Sequence, residues 1–345
     1  MYVNRMRFYG VKCLRRDIPG EGELPEPARK RLLLQGANGS GKTTVLESII
    51  VLWRMFGEWI DAGAGGRIRA EWARHCLAHS ELAAVEFCGF DKAFSSLWLG
   101  IGRGNAWEDL KKQYPDSQFA GMITYGAAKG EPKFNLELPA IDLATVRTQV
   151  QVGKIEKPNV VYFPPEERLI GATPPDAAKL LTLPYYSWSA EYWPGIGIDN
   201  LLITVKAHDE RRYKAALSLA NELLANQKKK LVLRGRANRH EVEVATDVDT
   251  PLFHSLDVLS SGEKQIVLMI VFAGCLLHDG GILVVDEPDL HIHMALVQPL
   301  VAALNHVVRE RKGQLIVAAH SQQVWTWFGQ SAERISLSPW RGRAK

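Results

Sequence analysis

The sequence has little of what would assign it to several specialised classes of protein. It contains four cysteines in 345 residues, namely Cys13, Cys76, Cys88 and Cys275, and no CxxC pair. This excludes a dense disulfide framework and is typical of proteins in a reducing cytosol. The longest apolar stretch, residues 266–277, is shorter than the roughly 20 residues that cross a bilayer, and the first residues lack an apolar signal-peptide core. We therefore expect a soluble, cytoplasmic protein.

The sequence also lacks a large excess of charge of either sign. Lys and Arg total 42 against 38 Asp and Glu, so the formal net charge is only +4. This excludes a polybasic nucleic-acid coat over the whole molecule, although not a local basic face. Because 46% of the residues are hydrophobic, intrinsic disorder is excluded as well. The length allows one large domain or about two.

Strand-like and helix-like patterns alternate at both ends of the chain. In the N-terminal part we predict an edge strand within 2–9, a surface loop over 17–30, a buried strand at 32–34 and helices over 42–57 and 71–82. The middle predicts short strands within 83–102 and 122–138, a strand at 160–163, a helix over 209–226 and a strand pair within 231–245. The C-terminal part predicts helix 262–277, strand 281–285, helix 291–311 and strand 314–319. This order indicates an α/β core with strand-rich material inserted, and no heptad run is long enough for a coiled coil.

A glycine-rich turn after the strand at 32–34 matches the pattern G-x-x-x-x-G-K-[ST]. Its candidate nucleotide-binding residues are Gly36, Asn38, Gly39, Ser40, Gly41, Lys42, Thr43 and Thr44. Glycines let successive N–H groups face phosphate oxygens, and the following helix adds the positive end of its dipole. Lys42 would reach the β- and γ-phosphates and the Thr43 hydroxyl would bind Mg²⁺, whereas Thr44 has no assigned role. The alternative is an ordinary turn, but the strand-to-helix context favours nucleotide binding.

Paired acids end the apolar run at 281–285. Beside a phosphate-binding loop, Asp286 would hold the Mg²⁺ and Glu287 would act as general base toward water, although a solvated acid pair is the alternative. His320, directly after the strand at 314–319, would contact the γ-phosphate or position that water. The alternative for His320 is a packed polar residue.

The segment 259–265, which we call the signature, reads LSSGEKQ and precedes an apolar helix. Its candidate phosphate-binding residues are Ser260, Ser261, Gly262 and Glu263. One interpretation is simply a good helix N-cap. The other is a phosphate sensor in which the Ser260 hydroxyl and the Gly262 N–H contact a γ-phosphate held by another subunit.

Taken in this order, the four elements resemble those of the ABC-type ATPases. The resemblance is closest to the soluble branch that includes RecF, the SMC-type heads and the OLD-like ATPases of bacterial defence, also grouped as AAA family ATPases. It rests on the LSSGE form of the signature, on residues 288–293 (PDLHIH) after the acid pair and on the Arg-terminated segment 162–168 (YFPPEER). It covers about residues 1–55 and 255–325. No clean Q-loop is found; Gln118, Gln149 and Gln151 are candidates.

This resemblance implies an ABC-type P-loop ATPase head, that is, a mixed sheet flanked by helices, with a compact insertion and no coiled-coil arms. The implied division is an N-terminal lobe at 1–168, an insertion at 169–250 and a C-terminal lobe at 251–345. It further implies an enzyme that hydrolyses ATP with Mg²⁺ while two heads pair, each ATP lying between the P-loop of one copy and the signature of the other. Asp289 and His291 would lie at that interface; a metal site formed by Asp289, His291 and His293 is a weaker alternative.

What such heads act on is open at this stage. A local basic cluster, Lys228, Lys229, Lys230, Arg234, Arg236, Arg239 and His240, fits DNA binding, or else only a solvated helix end and hairpin. The aromatic run Tyr185, Tyr186, Trp188, Tyr192 and Trp193 fits base stacking or core packing. The leading hypothesis is a dimerising motor or sensor for DNA or for a separate effector nuclease or toxin, with anti-phage defence implied by resemblance alone. The alternatives are a nucleotide-gated scaffold that holds an effector with slow hydrolysis, and the ATPase subunit of a membrane transporter.

Overall fold

The computed structural model describes residues 1–20, 22–62, 80–90, 95–124, 135–137, 143–151, 157–165, 187–192, 197–236, 239–246, 252–290, 292–329 and 333–337. The predicted helix over 71–82 lies almost wholly outside these residues, as do the candidate residues Tyr185, Tyr186, Trp193 and His291. No helix in the described ranges is both long and apolar enough to cross a membrane.

The described residues form fifteen strands and nine α-helices, numbered here in chain order. The strands are β1 Tyr2–Val11, β2 Leu14–Ile18, β3 Arg31–Gln35, β4 Leu82–Cys88, β5 Ser96–Arg103, β6 Gln118–Thr124, β7 Asn135–Glu137, β8 Val160–Phe163, β9 Ser189–Glu191, β10 Lys229–Arg236, β11 Arg239–Thr246, β12 Leu252–His254, β13 Ile282–Asp286, β14 Gln314–Ala319 and β15 Arg334–Ser336. The helices are α1 Glu26–Lys30, α2 Lys42–Ala62, α3 Gly104–Gln113, α4 Leu143–Gln151, α5 Ile198–His208, α6 Glu210–Leu224, α7 Ser261–Leu276, α8 Met294–Glu310 and α9 Gln322–Trp327.

Two six-stranded sheets carry most of the strands. The first has the order β2-β1-β4-β5-β6-β7 and is antiparallel except for the pair β5–β6. The second has the order β15-β3-β14-β13-β8-β9, and all of its neighbouring strands run parallel. A parallel sheet needs cover on both faces, which explains why β13 and β14 are apolar at nearly every position and buried throughout.

Helix α2 fills the space between the two sheets. Apolar side chains on one face of the parallel sheet, such as Leu32, Val284 and Ile316, share a buried cluster with α2 and with the inner face of the first sheet. The alternate residues, such as Leu33, Val285 and Val317, face the opposite way and pack with α5, α6, α7 and α8. Because side chains alternate along a strand, each core strand contributes to both clusters. The molecule is therefore layered, and α2 is held at its centre with its N-terminus at one edge of the parallel sheet.

Several predictions about local structure need correction. The N-terminal strand is not at an edge, because β1 pairs with both β2 and β4. The predicted loop over 17–30 contains the end of β2 and the helix α1, whose first turn holds Pro27. Helix α5 was not predicted, and the strand pair gains a third strand, β12. The strand β9, from the segment assigned to the insertion, joins the parallel sheet beside β8; the three-part division of the chain stays a prediction.

Candidate functional site

The candidate residues from three parts of the sequence meet at one edge of the parallel sheet. Strand β14 lies between β3 and β13, with Ala319 opposite Gln35 and Ala318 opposite Asp286. Parallel strands end at the same edge, so the glycine-rich loop after β3, the acids after β13 and His320 after β14 become neighbours. This edge is where open α/β sheets bind ligands.

The glycine-rich loop owes its shape to two glycines in the left-handed region. Gly39 has φ +76° and Gly41 has φ +94°, backbone conformations that side chains with a Cβ seldom adopt. A Cβ at Gly41 would also lie 2.5 Å from Leu14 Cδ2 and 3.1 Å from Cys13 Sγ, whereas one at Gly39 would meet nothing within 4 Å. The loop is therefore seated on the β1–β2 turn at Gly41 and open on the side of Gly39.

Lys42 and Ser40 point into this loop. The Lys42 ammonium donates hydrogen bonds to Gly36 O at 2.9 Å and to Ala37 O at 3.3 Å, and the residue is 6% exposed. The Ser40 hydroxyl is buried and has no hydrogen-bond partner among the described residues. A buried hydroxyl without a partner costs free energy. A phosphate oxygen in the loop would supply that partner, so these residues fit a nucleotide phosphate.

Thr43 and Asp286 form the candidate metal site. The Thr43 hydroxyl donates to Asp286 Oδ2 over 2.6 Å, and Asp286 is fully buried. A hydroxyl and a carboxylate are the hard oxygen ligands that Mg²⁺ prefers, and Mg²⁺ usually completes its shell with waters and substrate phosphates. No group of three or more His, Cys, Asp or Glu side chains in the described part of the chain forms a metal site alone. The donor set thus fits a Mg²⁺ ion bound together with a nucleotide.

Glu287 and His320 form the second polar pair. His320 Nδ1 lies 2.6 Å from Glu287 Oε2, and the His320 backbone N–H points at the same oxygen over 3.4 Å. The other oxygen, Oε1, is 3.7 Å from the Lys42 ammonium. Glu287 has φ +49°, which costs a residue with a Cβ about 1–2 kcal/mol. Its backbone N–H donates to Ala318 O at 2.8 Å, which helps to hold this strained conformation. The side chain is therefore aimed at the loop mouth by its neighbours.

The signature forms the N-terminus of α7 as a capping box. The Glu263 N–H donates to Ser260 Oγ at 3.3 Å, and the Ser260 N–H donates to Glu263 Oε2 at 2.6 Å. Lys229 at the start of β10 donates to both oxygens of the same carboxylate at 2.9 Å. Burial raises the pKa of Glu263, but hydrogen bonds from Lys229 and Ser260 outweigh it and lower that pKa from its ordinary value. The N-cap interpretation and the phosphate-sensor interpretation are compatible, because the cap leaves the Ser260 hydroxyl proton available to a ligand.

The basic cluster is partly engaged in internal contacts. Lys229 is paired with Glu263, and Arg234 pairs with Glu243 at 3.2 Å while its guanidinium lies 3.9 Å from the centre of the Phe253 ring. Lys228 and Lys230 are exposed. The side chains of Arg236, Arg239 and His240 lie outside the described residues. DNA binding by this cluster stays a prediction.

Two of the five aromatic candidates lie in the described part, and both are buried. Trp188 is 4% exposed and packs near Trp53 and Phe90, with ring centroids 5.9 and 6.0 Å apart. Tyr192 is 2% exposed and stacks near Phe163. For these two residues the structure supports core packing and leaves no face for base stacking.

The remaining candidates lie away from these pairs or cap a helix. Gln118 begins β6 in the first sheet, and Gln149 and Gln151 lie in α4, so none of the three directly follows a strand of the parallel sheet. His293 caps α8 through its Nδ1, which accepts from Ala295 N at 3.3 Å. The metal alternative built on His293 also needs His291, which is outside the described residues.

Sequence reasoning missed two features of the site. Leu14 and Cys13 pack against Gly41, although nothing in the local pattern connects residues so far apart. Lys229 was assigned to a basic surface because it lies in a run of three lysines, whereas it pairs with Glu263. The sequence did contain a signal for this pairing, namely Glu263 at the third position of α7. A buried capping-box carboxylate of this kind favours a cationic partner.

Comparisons with known proteins agree with this architecture. Residues 202–324 match a family model described as an AAA domain, putative AbiEii toxin, Type IV TA system. A solved SMC head bound to the C-winged helix domain of ScpA is similar over 95% of this chain and 92% of that chain, with 14% identity and a TM-score of 0.50. An SMC head domain from Thermotoga maritima is 15% identical over 95% of this chain and 92% of its own, with a TM-score of 0.44. No curated protein matches the chain in sequence.

The family match contains the signature, the acid pair and His320, and the glycine-rich loop lies before it. The SMC head similarity is a similarity of fold, and it extends over nearly the whole chain. The predicted α/β head with helices flanking the sheets is confirmed.

Proposed function

We propose that this chain, an ABC/SMC-like P-loop ATPase by fold and motifs, binds ATP with Mg²⁺ and hydrolyses it to ADP and phosphate within a dimer of two copies. One observation carries the proposal. The pairs Thr43–Asp286 and Glu287–His320 each close at 2.6 Å beside the glycine-rich loop, at the carboxyl edge of a parallel sheet. These side chains lie at the end of β13 or in the segments that follow β3, β13 and β14, and their convergence is not required by a packing role alone.

In this proposal the loop binds the triphosphate. Lys42 exchanges its bonds to Gly36 O and Ala37 O for phosphate oxygens, and the Ser40 hydroxyl gains the partner it lacks. Thr43 and Asp286 would hold Mg²⁺, which when bound supplies positive charge that stabilises the charge developing on the phosphates.

Glu287 then acts as general base. Its carboxylate accepts a proton from the water whose oxygen bonds to the γ-phosphorus, while the bond between that phosphorus and the β–γ bridging oxygen breaks and ADP keeps the electron pair. His320 orients the carboxylate through the 2.6 Å contact, and the left-handed backbone of Glu287 aims it at the loop. A positioned base of this kind contributes about 10²–10⁴-fold to a rate.

The signature supports the dimer. Within the described residues, the hydrogen bonds of Ser260 and Glu263 run to each other, to their own helix and to Lys229, and none runs to the glycine-rich loop. The exposed donors at the start of α7 are therefore available to a nucleotide held by a second copy. ATP that contacts both copies binds the paired state more tightly than the separate copies, and so it stabilises the pair. ATP binding would therefore switch the two copies from separate to paired.

The test compares three variants with the wild type in nucleotide binding and in phosphate release. Lys42→Ala should lose ATP binding, because it removes the ammonium from the loop. Glu287→Gln should bind ATP like the wild type yet release phosphate about 10²–10⁴-fold more slowly. Glu210→Gln is a matched control, since this exposed glutamate at the start of α6 forms a surface ion pair with Lys214 at 3.0 Å. Wild-type phosphate release by Glu287→Gln would refute the catalytic assignment.

The printed family description supports a biological setting. It includes a putative toxin and a toxin–antitoxin system, so we propose that the switch gates an effector protein in a defence system of that kind. Direct DNA contact is a weaker candidate, because Lys229 and Arg234 are engaged internally. Co-purification of this protein with the product of the neighbouring gene tests the setting. If the partner is retained only with ATP and intact Lys42, the protein is a switch. If Lys42→Ala also retains the partner, the protein is a nucleotide-independent scaffold.

A further inference from the structure

One ion pair links the β10–β12 sheet to the signature. The Lys229 ammonium lies 2.9 Å from both oxygens of Glu263, whose side chain is only 6% exposed. Charge-assisted bonds of this length that engage both oxygens are among the stronger interactions in proteins, and they fix the orientation of the carboxylate. The exposed pairs on helix surfaces, such as Lys214–Glu210 at 3.0 Å, lack this burial.

Lys229 stands on a firmly attached strand. The preceding residue, Lys228, takes a left-handed conformation with φ +55°, which turns the chain sharply from α6 into β10. Two residues further on, Leu231 N donates to Asn221 Oδ1 at 2.7 Å, and Asn221 Nδ2 donates back to Leu231 O at 3.2 Å. The start of β10 is thus hydrogen-bonded to α6. The position of Lys229 therefore depends on the position of α6 and of the hairpin formed by β10 and β11.

The second strand of the hairpin is anchored as well. Val242 N donates to Asp199 Oδ1 at 2.7 Å, which connects β11 to the first turn of α5. Any displacement of the hairpin relative to α7 must therefore stretch a contact at Asp199, Asn221 or Lys229. Of these three, only Lys229 contacts the signature.

The carboxylate that Lys229 holds determines what Ser260 can offer to a ligand. Glu263 Oε2 accepts the Ser260 N–H at 2.6 Å, and Ser260 Oγ accepts the Glu263 N–H at 3.3 Å. These two bonds use the backbone donor and one lone pair of the serine, so its hydroxyl proton remains to be donated outward. If the Glu263 side chain turned away, the Ser260 N–H would lose its acceptor, and the residue that carries the hydroxyl would be held only by the bond from the Glu263 N–H to Ser260 Oγ.

We propose that Lys229 is a positioning residue through which the β10–β12 sheet sets the geometry of the signature, and so regulates the ATP site of the partner copy. The inference rests on the proposed function, because a signature has a catalytic effect only if it faces a nucleotide. Lys229 touches no reacting atom in this scheme. It acts through Glu263 on Ser260.

The first experiment measures ATP binding to the monomer, phosphate release and thermal unfolding for Lys229→Met. Losing one charge-assisted pair to a buried carboxylate should lower kcat by about tenfold or more, while the affinity of the monomer for ATP changes less than about twofold because Lys42 and the loop are untouched. Lys229→Arg should recover most of kcat. Lys214→Met, which removes a surface pair to a glutamate, is the matched control and should hydrolyse ATP at the wild-type rate.

The second experiment separates positioning from loss of folding. Lys42→Ala has an intact signature and a disabled loop, and Lys229→Met has the reverse. Mixed together, they form dimers in which one site combines the intact loop of one copy with the intact signature of the other. Phosphate release should therefore appear on mixing, although neither protein alone shows it at a comparable rate.

Two results would overturn the inference on its own. One is a kcat for Lys229→Met equal to that of Lys214→Met, provided that the wild type, assayed separately, is active. The other is a Lys229→Met protein that is impaired and whose phosphate release is not restored by mixing with Lys42→Ala. An inactive wild type would instead remove the proposed function, and the inference with it.

Discussion

Adding one methyl group to the glycine-rich loop tests how the loop is seated. A Cβ at Gly41 would lie 2.5 Å from Leu14 Cδ2 and 2.9 Å from Leu14 Cγ, at a backbone φ of +94°. Leu14 is 2% exposed and belongs to the packed core, so it cannot yield freely. A Cβ at Gly39, with φ +76°, would meet no atom within 4 Å. The two positions therefore share the conformational cost and differ in the steric one.

The magnitudes follow from these two costs. A positive φ costs a residue with a Cβ about 1–2 kcal/mol, and overpacking a filled site costs about 1–3 kcal/mol more. Gly41→Ala should thus lose about 2–5 kcal/mol and Gly39→Ala about 1–2 kcal/mol. If the loop relaxes when empty, the loss appears as a Kd for ATP about 30- to 4,000-fold weaker for Gly41→Ala and about 5- to 30-fold weaker for Gly39→Ala.

Two measurements together give the total loss of free energy, whether it affects ATP binding or the stability of the nucleotide-free protein. Titration with a fluorescent ATP analogue gives the Kd, and urea unfolding of the nucleotide-free protein gives any part already present in the free energy of unfolding. The sum of both losses should be clearly larger for Gly41→Ala. Equal sums for the two variants, or wild-type behaviour of Gly41→Ala, would refute the packing of this loop on the β1–β2 turn.

The candidate metal site, the aromatic cluster around Trp188 and the buried thiols can each be tested by one measurement. Thr43→Val removes the hydroxyl that bonds the buried aspartate at 2.6 Å, so the apparent Mg²⁺ affinity of the ATP complex should fall by at least about tenfold; a magnesium titration of phosphate release that stays unchanged would contradict this. Trp188→Ala empties an aromatic cluster and should lower the free energy of unfolding by about 3–5 kcal/mol, and a loss below about 1 kcal/mol in urea would show that Trp188 is not core. Burial raises the pKa of Cys88 and Cys275 to about 12, so only about one such thiol in ten thousand is ionised at pH 8. Brief alkylation followed by mass spectrometry should therefore label the half-buried Cys13 before either of these two thiols, and faster labelling of Cys275 than of Cys13 would contradict the burial of Cys275.

Local patterns predicted the central strands well. The strands at 160–163 and 314–319 have the boundaries expected from the sequence. Both are apolar runs buried on two faces, and both are bounded by residues that interrupt pairing, Pro164 after the first and Gly313 before the second. In such segments burial, chain direction and turn chemistry indicate the same structure.

The pairing of strands that are distant in the sequence was harder to predict from local patterns. The alternation within 2–9 indicates a strand with one buried face, but it carries no information on how many neighbours the strand has. The partner that makes β1 an interior strand is β4, with Tyr2 opposite Cys88, more than eighty residues away. Helix α5 was missed because it begins at the end of the stretch 171–199, which is dense in proline and aromatic residues and has no regular apolar spacing.

The location of the site residues was predicted better than the contacts between them. Motif spacing placed Lys42, Thr43, Asp286, Glu287 and His320 in one site, because the ends of parallel strands meet. The left-handed backbone of Glu287 and the pairing of Lys229 with Glu263 depend on tertiary packing, so no local pattern encodes them. Charge runs are ambiguous for the same reason: a lysine in a basic run serves a surface or a buried partner according to the fold.

The central claim is that ATP is held between two copies of this chain. Its most direct test is the mass of Glu287→Gln in solution, measured by light scattering with Mg²⁺ and ATP, since this variant should bind the nucleotide without consuming it. We predict a species of about twice the 38.5 kDa of one chain. This species should be absent without nucleotide, and absent in the double variant that carries both Lys42→Ala and Glu287→Gln. A mass that stays at 38.5 kDa at saturating ATP would contradict the claim.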